Sequence, residues 1–307
     1  MGHQTLNSWV AWVMFMAAFA LAHGVSSQVT ASASKTQDIE RAVVLGKAGR
    51  IADALDLLHP WLDANDPSSA KAWFVSGFLH KEAFKAERQT ESRQEAIEHL
   101  KMALTLEEDL PNLSDWHESA RRALSYLGGT FFDEALLSVR AFEPGDEVDV
   151  FGALEAHVEV ATFLDPSVDA SEERAEFHKH VARAYNQWFM STGDGDHFER
   201  LEENYEAALA LKPADMTASY NLAVNLYNRG VGLIKQVDVN TSLPDLMDIQ
   251  ETSRAFFEKS LPWFERARQS QPNRPEILRG LMVVHHALYE DDLSEQFRLQ
   301  LEEVLRR

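Results

Sequence analysis

Histidine is the residue with which this chain could most readily bind a metal ion, and the sequence contains twelve of them. His178 and His180 lie two residues apart in a segment with helical patterning, so their side chains point to different faces. The adjacent residues His285 and His286 also point to different faces of a helix, so they are poorly placed to bind one ion. Three further histidines fall on apolar helix faces, which predicts packed positions at the edge of the core: His59, His80 and His157. With no His-Glu-x-x-His motif and no cysteine, the sequence predicts no metal site and no cofactor.

The segment 191–204 resembles a calcium-binding loop at its start. Asp194 and Asp196 occupy alternating ligand positions, but Phe198 follows at the next one, and Glu199 stands where such a loop requires glycine. The segment therefore predicts a turn between two helices, in which Asp194 or Asp196 caps the second helix.

Residue patterns typical of catalysis are missing. Without cysteine there is no thiol nucleophile, and the sequence contains neither a glycine-rich phosphate loop nor a nucleophile elbow. Gly128 and Gly129 interrupt a helical pattern, which indicates close packing or a bend. Paired carboxylates such as Glu107 and Glu108 fall at helix ends, where nothing predicts the burial that a catalytic acid needs. We expect no catalytic residues and no enzymatic activity.

The charge of the chain disfavours two classes of partner. The formal net charge is −20, and lysine and arginine are spread singly along the sequence. Nucleic acid and anionic membrane surfaces would both be repelled. Self-association through exposed ends is a further option.

The N-terminus predicts export. Residues 9–22 form an uncharged apolar run, too short for a membrane span of ~20 residues and followed by small residues, as in a secretory signal. We predict a signal peptide at 1–27, with cleavage between Ser27 and Ala33, and a flexible segment at 28–35. The mature protein would be periplasmic or secreted. Because no Lys or Arg precedes the run, an uncleaved N-terminal anchor is the alternative.

Small residues recur at matched places in pairs of predicted helices, which indicates an internal repeat. The first helix of each pair carries a small residue with bulky side chains one turn away, at Ala42, Gly77, Gly128, Ala182 and Ala223. The second helices align on one column: Trp61, Ala103, Ala161, Ala208 and Ala267. Each second helix is followed by a stop, near Pro67, Glu108, Pro166, Pro213 and Pro272. A small residue allows two antiparallel helices to approach closely.

This pattern resembles the tetratricopeptide repeat family over residues 36–307, and is most similar to exported bacterial members with elongated, irregular units. The spacing of the column always exceeds the family period of ~34 residues, and the extra residues either lengthen helices or add loops such as 237–248. The resemblance implies an all-α fold: a right-handed α-solenoid of about five helical hairpins, with a capping hairpin at the C-terminus.

The resemblance also implies a binding groove lined by the first helix of each hairpin. Placing that groove by the small-residue column gives these candidate positions: Phe132, Asp133, Lys179, Arg183, Asn186, Gln187, Tyr220, Asn221, Val224, Tyr227 and Asn228. We therefore expect a non-enzymatic exported scaffold or adaptor that binds a protein or peptide, in envelope assembly or secretion. The alternative is a helical small-ligand or glycan-binding protein, or a hydrolase, with an acidic groove. Its support would be an exposed cluster of Trp73, Trp116 and Trp188.

Overall fold

The computed structural model describes residues 28–307, and throughout this range the regular structure is helical, with no strand. The predicted signal peptide lies outside the described residues. The all-α fold class is confirmed. Twelve α-helices follow one another as six pairs: α1 Gln28–Lys47 with α2 Ile51–Leu58, α3 Ala70–Glu87 with α4 Thr90–Glu107, α5 His117–Arg140 with α6 Glu147–Leu164, α7 Ser171–Thr192 with α8 Gly195–Leu211, α9 Met216–Ile234 with α10 Leu243–Ser270, and α11 Pro275–Ala287 with α12 Asp291–Arg306.

The helices belong to two compact units. Among the described residues, unit 1 comprises 28–133 and 155–168, and unit 2 comprises 134–154 and 169–307. Helices α5 and α6 each contribute one part to each unit. Among residues 28–307, no helix combines the length with the hydropathy that a membrane span requires.

Small residues set the distance between paired helices, as the repeat pattern predicts. A Cβ atom on Gly77 would lie 2.8 Å from the side chain of Leu100 and 2.9 Å from its backbone nitrogen. A Cβ atom on Gly230 would lie 2.9 Å from the carbonyl oxygen of Ser253. Such distances leave no room for a larger residue, because the two helix backbones are in near contact. The alanines at the matched positions of other pairs are fully buried: Ala42, Ala182 and Ala223.

The column of the second helices holds at three of its five positions. Ala103, Ala208 and Ala267 are fully buried in their hairpins. Ala161 is half-buried. Trp61 does not belong to the column, because α2 ends at Leu58 and Trp61 lies in the 3-10 turn His59–Trp61 that follows it. Its indole Nε1 donates a hydrogen bond to Asp38 of α1 at 3.1 Å, so this residue secures a turn rather than a helix contact.

Helix α10 explains one of the long repeat steps. The helix begins after Ser242, whose hydroxyl accepts the backbone N–H of Asp245 at 3.3 Å. It has 28 residues and contains Pro262 in its interior. A proline there removes the hydrogen bond to the carbonyl of residue 258. The extra residues of this repeat therefore form both a connecting segment at 235–242 and a lengthened helix.

Helix α1 begins at Gln28, so residues 28–35, for which the sequence predicts flexibility, are helical in the structure. Alanine and serine there do not oppose a helix, and alanine favours one. The Nζ of Lys35 donates to the hydroxyls of Ser68 and Ser69, both at 2.9 Å, and to Asp66 at 3.2 Å. These bonds connect α1 to the 3-10 turn Pro67–Ser69 before α3.

The predicted C-terminal hairpin is formed by α11 and α12. Phe297 and Leu301 of α12 are buried against α11, where Leu281 and Val284 are fully buried. The opposite side of α12 is charged, with Arg298 paired to both Glu295 and Glu302. One apolar and one charged side is the arrangement that the last hairpin of a repeat array requires.

Candidate functional site

The predicted groove residues fall in both units. Phe132 and Asp133 lie on α5 within unit 1, and the other nine lie on α7 and α9 within unit 2. The two groups are therefore described separately.

In unit 2, two of the predicted residues lie beside the hydroxyl of Tyr205. Tyr205 lies on α8 and is only 2% exposed. Burial raises the pKa of Tyr205, and the positive charge of Arg183 on α7, followed by the polar side chain of Asn221 on α9, opposes that rise. An arginine and an asparagine from successive hairpins thus approach one buried phenol.

Neighbouring polar residues continue along the same helices. Gln187 follows Arg183 by one turn of α7, and Asn228 follows Asn221 by two turns of α9, so each pair shares a side of its helix. Arg183, Gln187 and Asn228 are exposed, and Asn221 is half-buried. Asn186, three residues after Arg183 on α7, is also half-buried. We call the following five residues the α7–α9 surface: Arg183, Asn186, Gln187, Asn221 and Asn228.

Lys179 does not belong to this surface, and its prediction as a groove residue is corrected. It is 4% exposed. Its Nζ lies 2.6 Å from Oδ2 of Asp215 and also contacts Glu176. Burial acts to lower the pKa of Lys179, but its hydrogen bonds to the two carboxylates outweigh burial and raise it. The ammonium group is thus charged and fully engaged inside unit 2, where it connects α7 to α9.

Three further groove predictions are packing residues of α9. Tyr220, Val224 and Tyr227 on α9 are half-buried and pack on the core formed with α10, α11 and α12. The ring centroid of Tyr220 lies 6.0 Å from that of Phe264, and Tyr227 lies 5.4 Å from Phe257. These side chains hold α9 in place more than they present area to a partner.

In unit 1, Phe132 and Asp133 have different environments. The half-buried ring of Phe132 lies 5.1 Å from the ring of His157 on α6. His157 in turn has Nδ1 2.9 Å from the carbonyl oxygen of Gly128. Asp133 is exposed at the following position. Phe132 therefore packs within its hairpin, and Asp133 is the residue of this pair that a partner can reach.

The tryptophans proposed for a ligand-binding groove are used in packing. Trp116 is 7% exposed and stacks on Phe74 with 5.0 Å between ring centroids. Trp73 donates its Nε1 hydrogen to the carbonyl of Asp63 at 3.2 Å. Trp188 donates to the carbonyl of Phe142 at 3.3 Å. None of these three side chains is fully exposed, so they do not form the exposed tryptophan cluster that would favour a glycan or small-ligand groove.

The calcium-like segment is a helix start, as predicted. Asp194 precedes α8, and its side chain accepts the backbone N–H of Asp196 at 3.0 Å. The carboxylate thus satisfies an N–H group that the helix leaves unpaired.

One group of side chains was missed at the sequence level. His80 of α3 and Glu95 and His99 of α4 place a ligand atom each within 4.8 Å of one another. His80 was assigned to packing, and Glu95 and His99 were not considered. The four-residue spacing of Glu95 and His99 indicates that the two share one side of a helix. It does not predict the third ligand, His80, because that depends on the register of α3 against α4.

Both imidazoles of this group are biased toward the neutral form. Burial lowers the pKa of His80, and Glu95 partly opposes this. Burial, followed by the neighbouring His80, lowers the pKa of His99 from 6.5 to about 4. At neutral pH each ring therefore carries a lone pair on one nitrogen.

No protein-family model matches the chain, and the search of curated proteins gives no match. Two solved structures show a likeness in fold. The crystal structure of the MamA protein is 14% identical, with 74% of this chain and 91% of that chain covered and a TM-score of 0.32. The structure of the S. pombe nuclear import adaptor Nro1 is 11% identical, with 91% and 94% covered and a TM-score of 0.34. Both scores are low, so the assignment of repeated helical hairpins rests on the helix pairs themselves.

Proposed function

We propose that this chain is a non-enzymatic scaffold or adaptor of tetratricopeptide-like construction, exported from the cytoplasm, that binds a protein partner at the α7–α9 surface. The partner segment is an extended peptide or a helix. The proposal is supported chiefly by the position of Arg183 and Asn221, which come from successive hairpins and approach the same buried phenol, Tyr205. A binding surface shared by consecutive hairpins needs side chains held in register across them, and the ion pair of Lys179 with Asp215, between α7 and the start of α9, supplies that register.

The side chains of this surface suit the backbone of a peptide. An asparagine or glutamine amide both donates and accepts hydrogen bonds, as an extended backbone requires. Arg183 adds a planar group of donors that pairs with a carbonyl or with an acidic side chain. Because the chain carries a net charge of −20, an acidic partner group is favourable only locally, at Arg183. We expect a partner that is basic or neutral overall, with one acidic or carbonyl-rich segment.

Export is supported by the apolar run at residues 9–22 and the small residues after it. Protein recovered from the extracytoplasmic fraction should be examined by N-terminal sequencing. A mature N-terminus between residues 28 and 33 is expected. An intact N-terminus in the membrane fraction would indicate the uncleaved anchor instead, and an intact N-terminus in the cytoplasm would contradict export.

Site-specific photocrosslinking in cells tests the binding surface. A photoreactive amino acid is placed at Gln187 and, in a second variant, at Asn228, both of which are exposed. The matched control position is Arg254 on α10, an exposed residue whose Nε is 2.8 Å from Glu258. The same partner should be crosslinked from Gln187 and Asn228 and not from Arg254. Equal crosslinking from all three, or none from the first two, would contradict the proposal.

A further inference from the structure

His80, Glu95 and His99 lie together at the contact of α3 and α4, within unit 1. We propose that these three side chains bind a divalent late transition-metal ion, for which Zn²⁺ is the natural test. This inference is independent of the proposed scaffold function.

The backbone arrangement brings the three donors together. Glu95 and His99 are one helical turn apart on α4, so they share one side of that helix. His80 comes from α3, three residues after Gly77, and the close contact of Gly77 with Leu100 brings this part of α3 against α4. The ring centroids of His80 and His99 are consequently 5.1 Å apart, in an edge-to-face arrangement.

The distances are close to those of a coordinated ion. Two ligand atoms bound tetrahedrally to Zn²⁺ at about 2.0–2.2 Å are separated by about 3.4 Å. Oε2 of Glu95 lies 3.3 Å from Nε2 of His99. All three ligand atoms fall within 4.8 Å of one another, so their longest separation exceeds the tetrahedral value by at most about 1.4 Å.

The donor types select the class of ion. Two imidazole nitrogens and one carboxylate oxygen suit Zn²⁺, Ni²⁺ or Cu²⁺, whereas Ca²⁺ and Mg²⁺ prefer oxygen donors alone. Three protein ligands leave a fourth position for water or for a side chain from another molecule. Glu95 is exposed, and both rings are partly exposed, so an ion can reach the donors from solvent.

A buried hydroxyl orients one of the rings. Oγ of Ser76 lies 2.9 Å from Nδ1 of His99. Ser76 is fully buried. A serine hydroxyl either donates or accepts, so it can accept the Nδ1 hydrogen and leave the lone pair of Nε2 directed at Glu95. Trp73 packs against the same ring at 4.7 Å, edge to face, and restricts its rotation. Such outer contacts are typical of histidines that bind metals.

The ion would connect α3 to α4. Because His80 lies on one helix and Glu95 and His99 on the other, coordination adds a cross-helix link to a hairpin that contains no disulfide. Binding to the folded form alone stabilises it in proportion to the logarithm of the ion concentration. The melting temperature should therefore rise with the concentration of the ion.

The test is equilibrium binding of Zn²⁺ to the untagged full chain after treatment with a chelator, followed by isothermal titration calorimetry and thermal unfolding. One ion per chain and a rise of the melting temperature are expected. Glu95→Gln and His80→Gln should each weaken the binding by at least about tenfold and remove the rise. His286→Gln is the matched control, because this histidine is exposed with a side-chain accessibility of 78%. It should leave the binding unchanged.

Further measurements separate metal binding from folding. Glu95→Gln alters an exposed carboxylate, so the circular dichroism spectrum of this variant should match that of the wild type. Ser76→Ala should weaken Zn²⁺ binding by roughly 10–100-fold if the hydroxyl orients His99. Addition of Co²⁺ gives an independent readout, because coordination by nitrogen donors changes its visible absorption, and this change should be absent in His80→Gln. Wild-type protein that binds no Zn²⁺, or equal binding in Glu95→Gln, His80→Gln and wild type, would overturn the proposal.

Discussion

The ammonium group of Lys179 on α7 lies 2.6 Å from the carboxylate of Asp215, the residue that caps α9. The other oxygen of Asp215 accepts the backbone N–H of Ala218 at 2.9 Å. A single carboxylate therefore both starts a helix and receives a lysine from the preceding hairpin. The position of α9 relative to α7 depends on this pair.

Removal of Lys179 should destabilise unit 2. Lys179→Met leaves the carboxylate of Asp215 without its cation in a site where its side chain is 14% exposed. Loss of a charged hydrogen bond in such a position costs about 2 kcal/mol. The free energy of unfolding from urea titration is the measurement. Arg200→Ala, which removes an exposed pair with Glu203, should leave the free energy of unfolding nearly unchanged. Equal effects of the two substitutions would contradict a structural role for Lys179.

Gly77→Ala should be destabilising by about 1–3 kcal/mol, because its new methyl group would meet the backbone of Leu100. The control is Gly129→Ala on α5, where a Cβ atom meets nothing within 4 Å. In that helix the alanine should be neutral or stabilise by up to about 1 kcal/mol. Thermal unfolding of both variants measures the difference. A neutral Gly77→Ala would show that α3 and α4 can separate at no cost.

Acid should weaken the connection between α1 and the turn before α3. The hydroxyl of Ser68, with the backbone N–H of Ser68 and with Lys35, lowers the pKa of Asp66 from 3.8 to about 2, against a smaller opposing effect of burial. Because the pKa of the folded state is below that of the unfolded chain, the stabilisation is complete above pH 3.8 and is lost as the pH falls toward 2.

The variant Asp66→Asn lacks this titration. At pH 7 it should be less stable than the wild type by at most about 1 kcal/mol, since the side chain of Asp66 is 43% exposed and solvent screens its ion pair with Lys35. The difference should shrink when urea unfolding is repeated at pH 3. A difference that stays constant between the two pH values would refute the assigned pKa of Asp66.

The helical pairs could be predicted from the sequence because their packing leaves a local trace. Gly77 and Ala223 are small residues with bulky residues one turn away on each side, and this local pattern predicts a close contact between two helices. The assignment of Trp61 to a helix is wrong, because His59–Trp61 forms a 3-10 turn that the alignment on small residues does not detect.

The environment of charged residues could not be predicted in the same way. Lys179 looks like a surface cation in the sequence, and its burial depends on Asp215, which lies 36 residues later. The grouping of His80 with His99 likewise depends on the register of two antiparallel helices, which no local pattern encodes. The approach of Arg183 and Asn221 to Tyr205 likewise depends on how three helices pack together.

The central claim, that a protein partner binds across α7 and α9, is tested most directly by combining crosslinking with a double substitution. The photoreactive residue is kept at Asn228, and Arg183→Ala with Asn221→Ala is introduced into the same chain. We expect the yield of the partner crosslink to fall at least about tenfold, since two anchoring side chains are worth 1.4 kcal/mol or more. Arg254→Ala, on α10, should leave the yield unchanged. An undiminished crosslink in a folded double variant would contradict the account.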